Sequence, residues 1–228
     1  MSAMSGLAAL LEARVSTRAF RDTPVSQKTV EDLLNLARQA PSGGNIQPWR
    51  VHVVSGTARQ AVIDAVQAVQ QEHPLGEPDP EYRIYPKPLA EPWRTRRYEC
   101  GETVYAAAGI AREDKMGRLV HVAGNFQFWN APVGLFIGLH KDMEPGQWSD
   151  LGMFIQTFLL AATEAGLGTC AQEAWSIYPR TVKTAIGMPD DHTLFCGIAL
   201  GHADLDAGVN QARTSRAGLD EIAVFDGF

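Results

Sequence analysis

The run from Asp150 to Ala165 constrains this chain most. Leu151, Phe154, Ile155, Phe158, Leu159 and Ala162 recur at helical spacing, and Leu160 and Ala161 fill much of the remaining surface. A helix apolar on so many sides must be buried on most of its faces. Gly166-Leu167-Gly168 then supplies the glycine stop of a helix C-terminus. Its most apolar part, Met153 to Ala162, is interrupted by Gln156 and is too short to cross a bilayer.

The rest of the chain supplies elements to surround that helix. Residues 3–14 read as a helix with Leu7, Leu10, Leu11 and Val15 on one side. A second helix runs from an N-cap at Ser26 to Gln39, with Val30, Leu33, Leu34 and Ala37 as its stripe. Trp49, Val51 and Val53 alternate with Arg50 and His52 as a strand does, and a helix over 57–71 follows the Ser55-Gly56 turn. Pro132 to Leu139 and residues 193–200 read as apolar strands, 169–174 as a short strand, and 102–113 and 179–186 as helices. This irregular alternation predicts one α+β domain over residues 1–228, with a mixed sheet and helices on its faces. Residues 72–98 differ in kind. Six of the 13 prolines lie there, interleaved with Tyr82, Tyr85 and Trp93. Such a segment forms no regular structure. It reads as a linker, or, since its aromatics need a surface, as a lid or an excursion embracing a second subunit.

Charge and cysteine content exclude several functions. The chain of 228 residues carries a net charge of −6 and no basic tract, which argues against nucleic acid as a partner. Cys100, Cys170 and Cys196 are widely spaced, so neither a zinc site nor a disulfide framework is expected. The six histidines show no ligand spacing, and metal hydrolysis is not expected. The N-terminal stretch lacks the pattern of a secretory signal, so a soluble cytoplasmic protein is the expectation. Arginine outnumbers lysine 15 to 5, and arginine is the better fork for phosphate and carboxylate.

Four constellations carry chemistry. Arg14 and Arg18, with Ser16 between them, can grip a phosphate or polarise a ring carbonyl; basic residues here also suit the end of a helix dipole. The loop Ala40-Pro41-Ser42-Gly43-Gly44-Asn45-Ile46-Gln47-Pro48-Trp49 is built to approach a planar ligand closely. In Gly168-Thr169-Cys170-Ala171-Gln172-Glu173-Ala174-Trp175, a strand ends in backbone N–H groups at a pocket edge. Cys170 has no basic neighbour in sequence to activate it as a nucleophile. Asn210, Arg213 and Arg216 form a basic patch on the tail.

Together, in this order and spacing, these motifs resemble the FMN-dependent nitroreductase family over essentially the whole chain: R-x-S-x-R-x-F, A-P-S-x-x-N-x-Q-P-W, G-L-G-T-C-x-Q-E and N-x-x-R-x-x-R-A-x-L-D-E. The P-S-x-x-N-x-Q-P-W loop is the most specific of them. The resemblance implies a nitroreductase-like fold, its mixed sheet mainly antiparallel and flanked by helices, in an intertwined homodimer with flavin sites at the interface. It implies NAD(P)H-dependent, two-electron reduction of nitroaromatic compounds in ping-pong order, with the chemistry at flavin N5 and no side-chain catalyst. Relatives of the same fold reduce quinones or enones, dehalogenate or fragment flavin, and a flavin-binding protein without enzymatic activity is the rival from another class.

By position, the resemblance assigns Arg14, Ser16 and Arg18 to the FMN phosphate, ribityl chain or pyrimidine edge, and Arg213 and Arg216 to the phosphate. Pro41, Ser42, Gly43 and Asn45 cover the flavin of the other subunit. Gln172, Glu173 and Ala174 line the ring, with the Ala174 N–H near N5. Gln127 is the candidate for the pyrimidine oxygen, with a plain surface role as the alternative. The 72–98 segment falls over the substrate pocket, where Trp93, Arg94, Arg96 or Arg97 would meet an acceptor's ring or carboxylate unless they are simply solvated. The tail over 213–228 wraps the partner.

Overall fold

A computed structural model describes residues 6–228. At its centre lies β2 (Val133–His140), which is apolar up to Leu139 because both of its faces are covered. It pairs antiparallel with β1 (Arg50–Ser55) on one side and β4 (His192–Gly201) on the other, and β3 (Gly168–Gln172) pairs antiparallel with β4. The sheet order is β1-β2-β4-β3. The parallel component of the expected mixed sheet is a single bridge, Ser16 beside Thr169, which docks the entry segment against β3.

Alternate residues of the central strands point into two cores. Leu135, Ile137 and Leu139 of β2, with Ile198 and Leu200 of β4, face α2 (Gln27–Ala37) and α6 (Pro145–Glu164). Phe136 and Ala199 face α3 (Gly56–Gln70) and α7 (Pro179–Ile186) across a cluster of aromatic rings. Two strand glycines make room for that cluster. A Cβ at Gly134 would lie 2.4 Å from the Phe128 ring, and one at Gly197 would lie 2.3 Å from Trp175. Phe128, Trp129 and Asn130 all have positive φ, a conformation costing roughly 1–2 kcal/mol per residue. Full burial of Phe128, 4.5 Å from Trp175 between ring centroids, offsets that cost.

The apolar run of the sequence lies in α6. Leu151, Phe154, Ile155, Phe158 and Leu159 are buried, but Gly152, Met153 and Gln156 are exposed. Burial on most faces therefore holds for the sheet side, while the opposite face is open in the single chain. The first helix, α1 (Gly6–Ala13), buries no residue and leaves Leu7 and Leu11 exposed; the part of its expected span over 3–5 lies outside the described residues. Ser26 caps α2 by accepting from the Thr29 N–H.

The proline-rich segment departs most from expectation. Its first half is fastened to the sheet and to α7. Tyr178 donates to the His73 carbonyl at 2.7 Å, and Glu77 accepts from the Arg180 and Thr181 N–H groups at the start of α7. Lys183 donates to Glu81 at 2.8 Å and to the His192 carbonyl at 2.7 Å, and the Leu194 N–H donates to the other Glu81 oxygen. Gly76, with φ +112°, comes so close to Ile177 that a Cβ would meet it at 2.9 Å. The helix expected over 102–113 is α4 (Trp93–Ala107), which begins right after Pro92, so the three arginines lie on a helix. Only Val104 of α4 is buried, so no apolar stripe marked where it starts. A further helix, α5 (Lys115–Ala123), is capped by Asp114 and turns Met116, Leu119 and Val120 outward. In the tail, α8 (Leu219–Ile222) is short, and Val224, Phe225 and Phe228 are exposed.

Candidate functional site

The two ends of the described chain meet at one cleft of about 360 Å³. Arg14, Ser16 and Arg18 enter it from the segment after α1, Arg213 and Arg216 from the tail, and Cys100 and Val104 from α4. Asn210 joins the two ends. Its buried side-chain oxygen accepts from the Arg18 N–H at 2.7 Å, and its amide donates to the Ala19 and Asp204 carbonyls at 2.8 Å each. The Thr17 N–H donates to the Thr169 carbonyl at 2.8 Å, which holds the same segment on β3.

Among the described residues, none of the four guanidinium groups in this cleft forms an ion pair, although Glu12 also lines it. Arg18 donates to the Ser16 carbonyl, Arg213 to the Asn210 and Ala212 carbonyls, and Arg216 to the Thr214 hydroxyl and the Thr214 and Ser215 carbonyls. Burial, and then the neighbouring Arg216 charge, push the pKa of Arg14 down from its ordinary value. An arginine stays charged in a protein, so this is a standing electrostatic cost that an anion in the cleft would relieve. The cleft therefore fits the phosphate of FMN: four forked cations, none of them paired with an acid among the described residues. Cys170 lies close behind it but is fully buried, and burial raises its pKa, so it is an inert thiol.

The profile described as "Nitroreductase family" matches residues 11–202. The chain belongs to the nitroreductase family. It is 38% identical over 216 residues to the chloronitrobenzene nitroreductase of Comamonas testosteroni, covering 95% of each chain. It is 35% identical over 221 residues to the 4-nitrobenzoate reductase of Pseudomonas putida, covering 96% of this chain and 95% of that one. Among solved structures, the FMN- and NADPH-dependent nitroreductase NfnB from Sphigopyxis sp. strain HMH superposes with a TM-score of 0.94 at 44% identity, covering 99% of this chain and all of that one.

The other residues marked by the family motifs fall elsewhere. Pro41, Gly43 and Asn45 are exposed and Ser42 partly so, on a loop presented outward from the chain. The loop is nonetheless well defined: Gly44, Asn45 and Gln47 have positive φ, and the Ser42 hydroxyl accepts from the Gln47 N–H. The buried carboxylate of Asp150 accepts from the Gly43 N–H at 3.2 Å and ties the loop to α6. Asp150 was not singled out from sequence, yet it falls four and eight residues before Phe154 and Phe158, on the stripe facing inward.

At the end of β3, Gln172 turns into the protein. Its amide donates to the Asn125 carbonyl at 2.9 Å and its oxygen accepts from the Trp175 indole, so it braces the aromatic core. Glu173 and Ala174 open a 3₁₀ turn, where the first N–H groups lack partners within the turn. The Glu173 carboxyl is half-buried with no hydrogen-bond or ionic partner among the described residues, and burial raises its pKa. Gln127 is exposed, with its carbonyl held by Arg59 at 2.9 Å, and does not line the arginine cleft. Trp93 is exposed. Each arginine of α4 has a partner: Arg94 with Glu91, Arg96 with Glu221 of α8 at 2.7 Å, and Arg97 over the Tyr85 ring at 4.2 Å.

Proposed function

We propose that the protein is an FMN-dependent NAD(P)H oxidoreductase that reduces nitroaromatic compounds in two-electron steps. The observation carrying this reading is the cleft of four arginines without acidic partners, in a family whose similar members include the chloronitrobenzene and 4-nitrobenzoate reductases. When bound, FMN supplies the two-electron redox chemistry. The protein's part is binding and orientation. Arg14, Arg18, Arg213 and Arg216 neutralise the phosphate, and Ser16 lies among them as a hydroxyl contact. With FMN held there, the N–H groups of Glu173 and Ala174 would meet the ring edge, and the Ser42–Asn45 loop of the partner subunit would exclude water from it.

The outward face of that loop supports a homodimer in which each subunit covers the other's flavin. The exposed face of α6 at Gly152 and Met153, the exposed leucines of α1 and the apolar tail supply surface for it. On this reading the 228 residues are one domain working in the cytoplasm, and among the described residues no helix is long and apolar enough to cross a membrane.

The test is anaerobic mixing of the purified protein with NADPH. The yellow absorbance bleaches, and it returns in proportion to added nitrobenzene or 4-nitrobenzoate. A colourless protein that takes up no FMN would overturn the reading. Sedimentation equilibrium at twice the chain mass of 24.8 kDa is the expected state.

A further inference from the structure

The proline-rich segment and α4 enclose a second cleft, of about 680 Å³, separate from the arginine cleft. Helix α4 divides the two. Cys100 and Val104 face the first, and Tyr98, Gly101 and Tyr105 face the second. The charges on the second cleft do not balance. Arg94 is paired with Glu91, and Arg118 is paired with Glu102 at 2.7 Å while lying over the Tyr105 ring at 4.4 Å. Lys87 and Arg97 have no acidic partner among the described residues. Arg97 is instead spread flat on Tyr85.

Two unmatched cations lining one cleft suit a dianion, and the Arg97 plane, stacked on Tyr85, offers a flat face to an aromatic base, while the Tyr105 and Tyr98 rings already lie under Arg118 and Arg112. An aromatic carboxylate brings a single charge and a small ring. A 2′-phosphorylated adenosine brings a dianion and a purine together. We infer that this cleft receives the 2′-phosphoadenosine end of NADPH, with Lys87 and Arg97 on the phosphate, and that it selects NADPH over NADH. This rests on the reading of the protein as an NAD(P)H oxidoreductase. It adds the residues that read the nucleotide.

The experiment uses the FMN-saturated protein, so that the first cleft is filled. Adenosine 2′,5′-bisphosphate and 5′-AMP are titrated by calorimetry into the parent and into the Lys87→Ala/Arg97→Ala double variant. The parent binds the bisphosphate at least about tenfold more tightly than AMP, and the double variant loses about that factor for the bisphosphate alone. The ratio of kcat/KM for NADPH to that for NADH falls by a similar factor, and Lys87→Arg retains most of it. Equal binding of the two nucleotides by the parent, or unchanged discrimination in the variant, overturns the inference. So does a loss confined to 4-nitrobenzoate, which would make the cleft an acceptor-carboxylate site. Nitroaromatic reduction by the parent in any of these cases would leave the proposed function standing, and its absence beside intact bisphosphate selectivity would remove that function instead.

Discussion

Two groups of cations in this molecule have opposite surroundings. Lys183 is buried and fully satisfied, with the Glu81 carboxylate and the Asp190 and His192 carbonyls around its ammonium group. Arg14, Arg18, Arg213 and Arg216 share a cleft with no ion pair between them and any acid of the described chain. The first arrangement is complete without a ligand and bolts the proline-rich segment to the sheet. The second is incomplete: burial, and after it the neighbouring Arg216 charge, lower the pKa of Arg14. A satisfied buried charge marks structure, and a cluster of like charges without counter-charge marks a place for an anion.

Substitutions can break that comparison. The largest effect is expected from Lys183→Met, which leaves the Glu81 carboxylate largely buried without its cation and should cost about 3–5 kcal/mol in urea denaturation. A loss below about 1 kcal/mol would mean that the pair behaves as a surface bridge and that the segment is held by other contacts. Arg14→Ala and Arg216→Ala should do the reverse. Each removes charge-assisted bonds to phosphate worth about 1.5–3 kcal/mol, so FMN binds roughly tenfold to a hundredfold more weakly by fluorescence titration. The FMN-free protein should not lose stability, because each change relieves repulsion. If instead both variants unfold more easily without FMN, the cluster is structural after all.

The smallest effect sharpens the comparison with a group of the opposite sign. The Glu173 carboxyl is half-buried and unpartnered among the described residues, and burial raises its pKa in the folded protein. The stability contributed by its protonated form is complete below the ordinary carboxylate range and is lost as pH rises through the raised value. Glu173→Gln removes that loss. Without FMN, the variant should therefore melt slightly above the parent at neutral pH, and the two curves should converge on acidification into the carboxylate range. Parallel melting curves at all pH values would show that the carboxyl is solvated.

Much of the fold was legible because its helices and strands have a buried side. The stripes of α2 and α6, the apolar strands β2 and β4, and the span of α7 follow from periodicity and from the cap at Ser26. Helix α4 was misplaced for the opposite reason: it is polar nearly all round, so nothing in its pattern separates it from the irregular segment before it. Helix α5 escaped notice because Arg118 and His121 face inward while its apolar residues face out. The motif assigned Gln172 to the ring, but its side chain serves the aromatic core through Asn125 and Trp175, which lie near it only after folding.

By itself the sequence determined the family, the order of its motifs and the spacing that places Arg14 with Arg18 and Arg213 with Arg216, since these are properties of a chain read in one dimension. Only the tertiary structure decided which charges are matched. It set Glu81 on Lys183 and Glu221 on Arg96, and left Arg14, Arg18, Arg213 and Arg216 at one cleft with no ion pair among the described residues. Whether a cation is structural or waits for a ligand depends on what lies within a few ångströms of it. The residues concerned come from as far apart as positions 14 and 216, so that distance is set by the packing of the whole fold.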